Sequence, residues 1–357
     1  PFEEPTHGWR ALADQAGALR QELTDVRDTQ SPAGDASLLP NPSQDYLESA
    51  ATTIEDIAAL APVVPEQVRA AVQEADPSLD EDLADWFDTT SIRPRLILLG
   101  AVNARAFGKL TPAITKRRPY FIEILAYLAL HPKGATANEI ADAFGIAASK
   151  ARTDISSLRT WLGTNPRTGQ DYLPTANESP AYRESGVKAY QLQDMLIDLD
   201  LFRRLRLRGQ ARGAAGIQDL KTAMALVEGP PFSALREKGW SWLLDTERIH
   251  ETTGCAVVDT AHILITNALA DGDLNAARQV AETACQAAPY DDIARLDLIK
   301  VTAAEGHDEA ADKMLSDDIG NRTDDYLPPI ELPPRTADVV GTQDWRNTRQ
   351  RRRSRRA

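Results

Sequence analysis

Ala148-Ser-Lys-Ala-Arg-Thr-Asp-Ile-Ser-Ser-Leu-Arg-Thr-Trp-Leu-Gly163 reads as a helix with two chemically opposed faces. At the helical period, Ala151, Ile155, Leu158 and Leu162 share one side and form a core stripe. Ser149, Thr153, Ser156 and Thr160 lie on the opposite side, flanked by Lys150, Arg152, Ser157 and Arg159. Asp154 is the one acid, near the core edge. A small, hydroxylated, cationic face suits a helix lying in a major groove, where hydroxyls and guanidinium groups reach phosphates and base edges. An ordinary amphipathic helix with a solvated face has the same pattern, so the neighbouring sequence has to decide.

Upstream, Thr136-Ala-Asn-Glu139 has the form of a capping box opening the helix Glu139–Phe144. Gly145-Ile146 makes a tight turn, Ser149 is placed to cap the helix Lys150–Leu162, and Gly163 stops it. Thr136–Gly163 is therefore a helix–turn–helix candidate. Before it, Pro112–Leu130 reads as one helix with Lys116, Arg117 and Arg118 at its start, and Arg95–Gly100 and Ala101–Phe107 read as short strands. After it, Tyr172–Pro174 and Val187–Leu192 read as strands bracketing a polar loop. A strand pair, three helices and a β-hairpin give the order of a winged helix. The hairpin would be the wing, with Arg167, Arg183 and Lys188 on or beside it for phosphate contact.

Charge is segregated along the chain. The 357 residues carry a net charge of −13, which looks hostile to a polyanion. Residues 1–92, however, hold 19 Asp and Glu against 4 Lys and Arg, whereas 93–192 hold 14 basic residues against 7 acidic ones. Local charge is what a duplex meets within a Debye length of about 10 Å. The acidic lead-in contains an amphipathic helix candidate (Leu12, Ala16, Leu19, Leu23, Val26), a Pro- and Gly-rich linker at 31–43, and short helical patterns at Tyr46–Leu60, Pro65–Gln73 and Asp80–Phe87. It is either a small helical domain or a partly disordered arm, and its charge would let it fold back over the basic block.

From Ile197 to about Leu315 the pattern is helical. Gly272-Asp-Leu-Asn-Ala-Ala277 recurs as Gly306-His-Asp-Glu-Ala-Ala311 at an offset of 34 residues, the tetratricopeptide period. Trp240 and Trp242, near Pro230-Pro231-Phe232, read as packing for the first helices of that array. The tail from Pro328 is Pro-rich and then basic, and is expected to be disordered.

Two further sets of residues carry a family resemblance. Lys116-Arg-Arg-Pro-Tyr-Phe-Ile-Glu-Ile-Leu-Ala-Tyr-Leu-Ala-Leu-His-Pro-Lys-Gly134 and Ala148–Gly163 resemble the winged-helix domain of the Streptomyces antibiotic regulatory protein family. Asp198-Leu-Asp-Leu-Phe202, Ala223-Met-Ala-Leu-Val-Glu-Gly-Pro-Pro-Phe232 and the Ala288-Pro289 break resemble that family's bacterial transcriptional activator domain. The resemblance covers about residues 93–315. It implies a DNA-binding winged helix followed by a tetratricopeptide-like array, with duplex DNA as partner. The array would form a homodimer or recruit RNA polymerase or another protein. Residues 1–92 fall outside the usual family pattern. Similar domain pairs also end larger, membrane-tethered actinobacterial proteins, and a sequence opening at Pro1 suits such a fragment.

The expected architecture is mainly α with small β elements. Its domains are an acidic lead-in at 1–92, a winged helix at 93–192, a tetratricopeptide-like array at 193–327 and a basic tail at 328–357. Ser149, Lys150, Arg152, Thr153, Ser156, Arg159 and Thr160 would face the duplex. Lys116, Arg117, Arg118, Arg167, Arg183 and Lys188 would hold phosphates. The second reading is an adaptor whose winged helix is a scaffold; no Asn or Gln between Ala147 and Leu162 supplies a long polar reader. No catalytic centre, cofactor or metal is expected: there is no phosphate-cradling Gly loop, no Gly-x-Ser-x-Gly, and no His-Glu-x-x-His spacing among the five histidines. Two cysteines make no disulfide framework, and no apolar run reaches a membrane span. A reducing, cytoplasmic setting follows as the expectation.

Overall fold

The computed structural model describes residues 76–244 and 249–320. The expectations for 1–75 and for the tail from Pro328 lie outside the described residues. The chain is mainly helical with small β elements. It divides into two units: of the described residues, 76–208, 231–244 and 249–251 form the first, and 209–230 and 252–320 the second.

The first unit opens with α1 (Leu79–Phe87), the last helix of the acidic lead-in. Leu79 and Asp82 are buried. Asp82 lies between two buried arginines, 2.7 Å from Arg93 and 2.8 Å from Arg204. Arg93 also meets Asp85 at 3.0 Å and Asp194 at 2.7 Å, and Arg204 meets Asp76 at 2.7 Å. Burial would raise the Asp82 carboxyl, but Arg204 and Arg93 outweigh it and hold it below the usual carboxylate range. This end of the lead-in is thus part of the first unit's ionic interior.

A three-stranded sheet follows. β1 (Arg95–Ile97) pairs antiparallel with β2 (Asn103–Arg105), Arg95 opposite Arg105. The expected second strand is thereby shortened to its middle. Helices α2 (Pro112–Lys116) and α3 (Arg118–Ala129) replace the single helix expected over 112–130. The break at Arg117 has a local cause: Pro119 has no N–H to bond Thr115 O in a continuous helix, and it fits instead in the first turn of α3.

β3 (Ala135–Thr136) leads into α4 (Ala137–Phe144). Both bonds of the expected capping box are present: the Thr136 hydroxyl accepts from Glu139 N–H at 3.2 Å, and Glu139 accepts from Thr136 N–H at 2.7 Å. Gly145 then adopts φ 60°, the left-handed cap. α5 (Ala148–Leu162) starts after Ala147, two residues earlier than a Ser149 cap would place it.

The expected hairpin is not formed by its two expected strands. Residues 172–174 form no strand, and β4 (Ala189–Tyr190) pairs antiparallel with β3 instead, Ala135 opposite Tyr190. The intervening loop folds into α6 (Pro180–Ser185), which Ser179 caps, Pro180 starts and Gly186 ends at φ 70°. One backbone bond, Gln193 N–H to Tyr172 O at 2.8 Å, joins the two segments.

β5 (Leu196–Ile197) pairs parallel with β1, and α7 (Asp198–Arg212) follows. The fully buried Asp198 accepts from the N–H groups of Leu98 at 2.8 Å and Leu99 at 2.8 Å. These bonds carry the unit past the 192/193 boundary read from sequence. Residues 231–244 also belong to it. Phe232 N–H donates to Leu98 O at 2.8 Å and Ser233 N–H to Gly100 O at 3.0 Å. Trp240 and Trp242 stack on each other, and Trp242 meets Tyr127 edge-on at 5.1 Å. The tryptophan pair therefore packs on α3 within the first unit, a correction to the sequence reading, which assigns it to the helical array.

The second unit contains α8 (Ile217–Met224), residues 252–271 of α9 (Ile249–Asp271), α10 (Leu274–Ala287), α11 (Asp292–Ala304) and α12 (Asp308–Met314). α10 packs on α11 and α11 on α12. Ala277, Ala281, Ala284 and Ala287 are buried along one face of α10, which permits close helix approach. The sequence echo has a structural counterpart. Gly272 (φ 77°) and Gly306 (φ 91°) both end a helix in the left-handed region. Each is followed by the same six-residue bond, Asp273 N–H to Ala268 O at 2.8 Å and His307 N–H to Thr302 O at 3.1 Å. Among the described residues, α9 is long and apolar enough to cross a membrane. Its most apolar stretch is 67% buried, and it carries Asp259 and His262 in the interior, as a core helix does.

Candidate nucleic-acid interface

The core stripe of α5 is as expected: Ala151, Ile155 and Leu158 are fully buried, joined by Trp161 and Leu162. The C-terminal end is held by backbone. Gly108 N–H donates to Trp161 O at 2.9 Å and Lys109 N–H to Thr160 O at 2.9 Å. A Cβ on Gly108 would lie 2.4 Å from Thr160 O, so only glycine permits this approach.

Opposite that stripe, Ser149, Lys150, Arg152, Thr153, Ser156 and Thr160 are exposed. The Thr153 and Thr160 hydroxyls donate back to Ser149 O at 3.1 Å and Ser156 O at 3.0 Å, which leaves their oxygens free to accept. Asp154 is withdrawn from this surface and is 2% exposed. It accepts from Arg117 at 2.8 Å and from the Tyr120 hydroxyl at 2.8 Å, and it pairs with Lys150. Two cations meet one carboxylate, so the cluster stays positive on balance. Burial first, then the bond to Asp154, push the Tyr120 hydroxyl well above the ordinary tyrosine value.

The remaining predicted cations separate into two groups. Lys116, Arg152 and Lys188 are exposed and make no hydrogen bond or ion pair among the described residues. The others are engaged by the protein itself. Arg159 donates from Nε to Leu173 O at 2.6 Å and from Nη2 to Pro174 O at 3.0 Å, pinning the segment after α5. Arg118 donates to Ala104 O at 2.7 Å and lies over the Trp161 ring. Arg183 donates to Glu178 O at 3.2 Å. Arg167 pairs with Glu81 at 2.7 Å and with Asp85 at 3.3 Å, both on α1, so it is a neutralised cation rather than an open phosphate contact.

A groove of about 620 Å³ runs beside α5. It brings Arg152, Arg159 and Lys188 together with Asn138 of α4, Asn177 and Tyr190. Sequence reasoning missed Asn138, Asn177 and Tyr190. Only the β3–β4 pairing, which no local pattern announces, carries Tyr190 next to α4. No protein-family model matches the chain, and no curated protein matches it.

Proposed function

We propose that the chain is a DNA-binding transcription regulator, a winged helix followed by a tetratricopeptide-like array. The observation that carries this reading is the surface of α5. Six predicted contact residues are exposed on one side, and the single acid of the helix is buried under Arg117, Lys150 and Tyr120. A duplex approaching that face meets hydroxyls and cations without a competing carboxylate from α5. The turn at Gly145 and the β3–β4 pair beside α4 and α5 support the winged-helix reading. The matching helix ends at Gly272 and Gly306 support the repeat reading of the second unit. That unit would dimerise or recruit RNA polymerase or another protein.

The test is to mix the chain with fragmented genomic DNA, recover what is retained, and sequence it. Enrichment of a common motif is expected. Recovery of every fragment in proportion to its input would contradict base reading by α5.

A second reading, a partner-binding adaptor, draws on Arg159, Arg118 and Arg167, each engaged within the first unit. On that reading the same selection retains no DNA.

A further inference from the structure

The groove beside α5 has properties that a helix lying in a major groove does not require. It is concave, and at about 620 Å³ it is of the size that holds small molecules. Three of its lining side chains are cationic and none is Asp or Glu. Among the described residues Arg152 and Lys188 have no hydrogen-bond or ion-pair partner, and no carboxylate lines the groove beside them. Arg159 is fixed by the carbonyls of Leu173 and Pro174 through Nε and Nη2, which leaves Nη1 open. Asn138 and Asn177 are exposed and add neutral donors and acceptors on the groove wall.

We infer that this groove binds the phosphate group of a nucleotide. Arg152, Arg159 and Lys188 take the phosphate oxygens, because guanidinium and ammonium groups form the strong, charge-assisted bonds that phosphate accepts. Asn138, Asn177 and the Tyr190 ring face the polar body that carries it. A bare phosphate would leave most of the volume empty, which favours a nucleotide-sized ligand. That nucleotide is either free in solution or a unit of the duplex backbone. The inference rests on the regulator reading only for the second source. If the source is free nucleotide, it competes with DNA for Arg152.

The test uses the full chain and the double variant Lys188→Ala with Asn177→Ala. Both side chains are exposed, and circular dichroism checks that the fold is retained. Adenosine 5′-monophosphate is titrated calorimetrically at low salt, and a short duplex is titrated separately by anisotropy. Saturable nucleotide binding that weakens about tenfold or more in the variant, the scale of losing charge-assisted contacts, supports a free ligand. A duplex affinity that falls by a similar factor in the variant, with no response to free nucleotide, supports a backbone phosphate. Nucleotide and duplex binding both unchanged by the variant, or both absent, overturn the inference. If free nucleotide binds and duplex does not, the regulator reading fails while the groove stands. If duplex binds equally well with and without the two groove residues, and nucleotide does not bind, the groove fails alone.

Discussion

The Tyr120 hydroxyl donates to Asp154 at 2.8 Å, tying α3 to the helix whose outer face carries the candidate contacts. Arg117, Lys150 and Arg236 all lie over the Tyr120 ring, at 4.6, 5.9 and 5.5 Å from its centroid. One aromatic ring thus gathers three cations and holds the acid that offsets two of them. Tyr120→Phe removes a hydrogen bond to a charged acceptor and is expected to cost about 1.5–3 kcal/mol in urea unfolding. The hydroxyl is held above its ordinary value, so its contribution is complete below the unfolded pKa of about 10 and is lost as pH rises through the folded value. The wild type should therefore lose stability above pH ~10 more steeply than Tyr120→Phe.

Asp82 predicts the opposite pH sign. Its carboxyl is held below the usual range, so its contribution is complete above the unfolded value of about 3.9 and is lost as pH falls through the folded value. Asp82→Asn leaves Arg93 and Arg204 short of a buried partner and is expected to cost about 3 kcal/mol, the lower end for such pairs because other acids remain beside both arginines. Below pH ~4 the wild type should lose stability faster than the variant, read as the midpoint of acid unfolding.

Glu123 is 1% exposed and holds the 231–244 segment to α3. It accepts from Arg236 at 2.7 Å and from Trp240 N–H at 2.6 Å. Phe232, Ala234, Lys238 and Trp240 all have φ between 55° and 65°, a costly region for residues with a side chain. Glu123→Ala is expected to cost about 3 kcal/mol and to speed hydrogen exchange at Trp240 before the rest of the unit. Uniform exchange across the unit would show that Glu123 does not hold this segment specifically.

In the second unit, His262 Nδ1 lies 2.7 Å from Asp297, with both side chains at most 2% exposed. Asp297→Ala leaves the imidazole buried without this partner and is expected to cost about 1–3 kcal/mol. Denaturation followed by circular dichroism measures it; a change below about 0.5 kcal/mol would contradict a paired interior histidine.

Local rules made much of this legible. The capping box at Thr136, the Gly145 turn and the apolar stripe of α5 are short-range features, and each has the expected form. The echo at Gly272 and Gly306 was readable for the same reason. Pairings over long sequence distance were not readable. β3 meets β4 across more than fifty residues, Arg167 meets acids 86 and 82 residues away, and Trp240 reaches Glu123 117 residues away. Those contacts decide which cations stay open, so the sequence identified the α5 face but not the engagement of Arg159 and Arg167.

If α5 presents an open cationic face to a duplex, as proposed, binding must weaken steeply with salt. Anisotropy of the full chain on a labelled duplex should show affinity falling about 10³-fold between about 50 and 200 mM salt, as for some six phosphate contacts. Arg152→Ala with Lys116→Ala, two exposed cations, should flatten the log–log slope by about one unit per lost contact. Absence of binding at the lower salt, or a slope untouched by the double variant, would contradict the account.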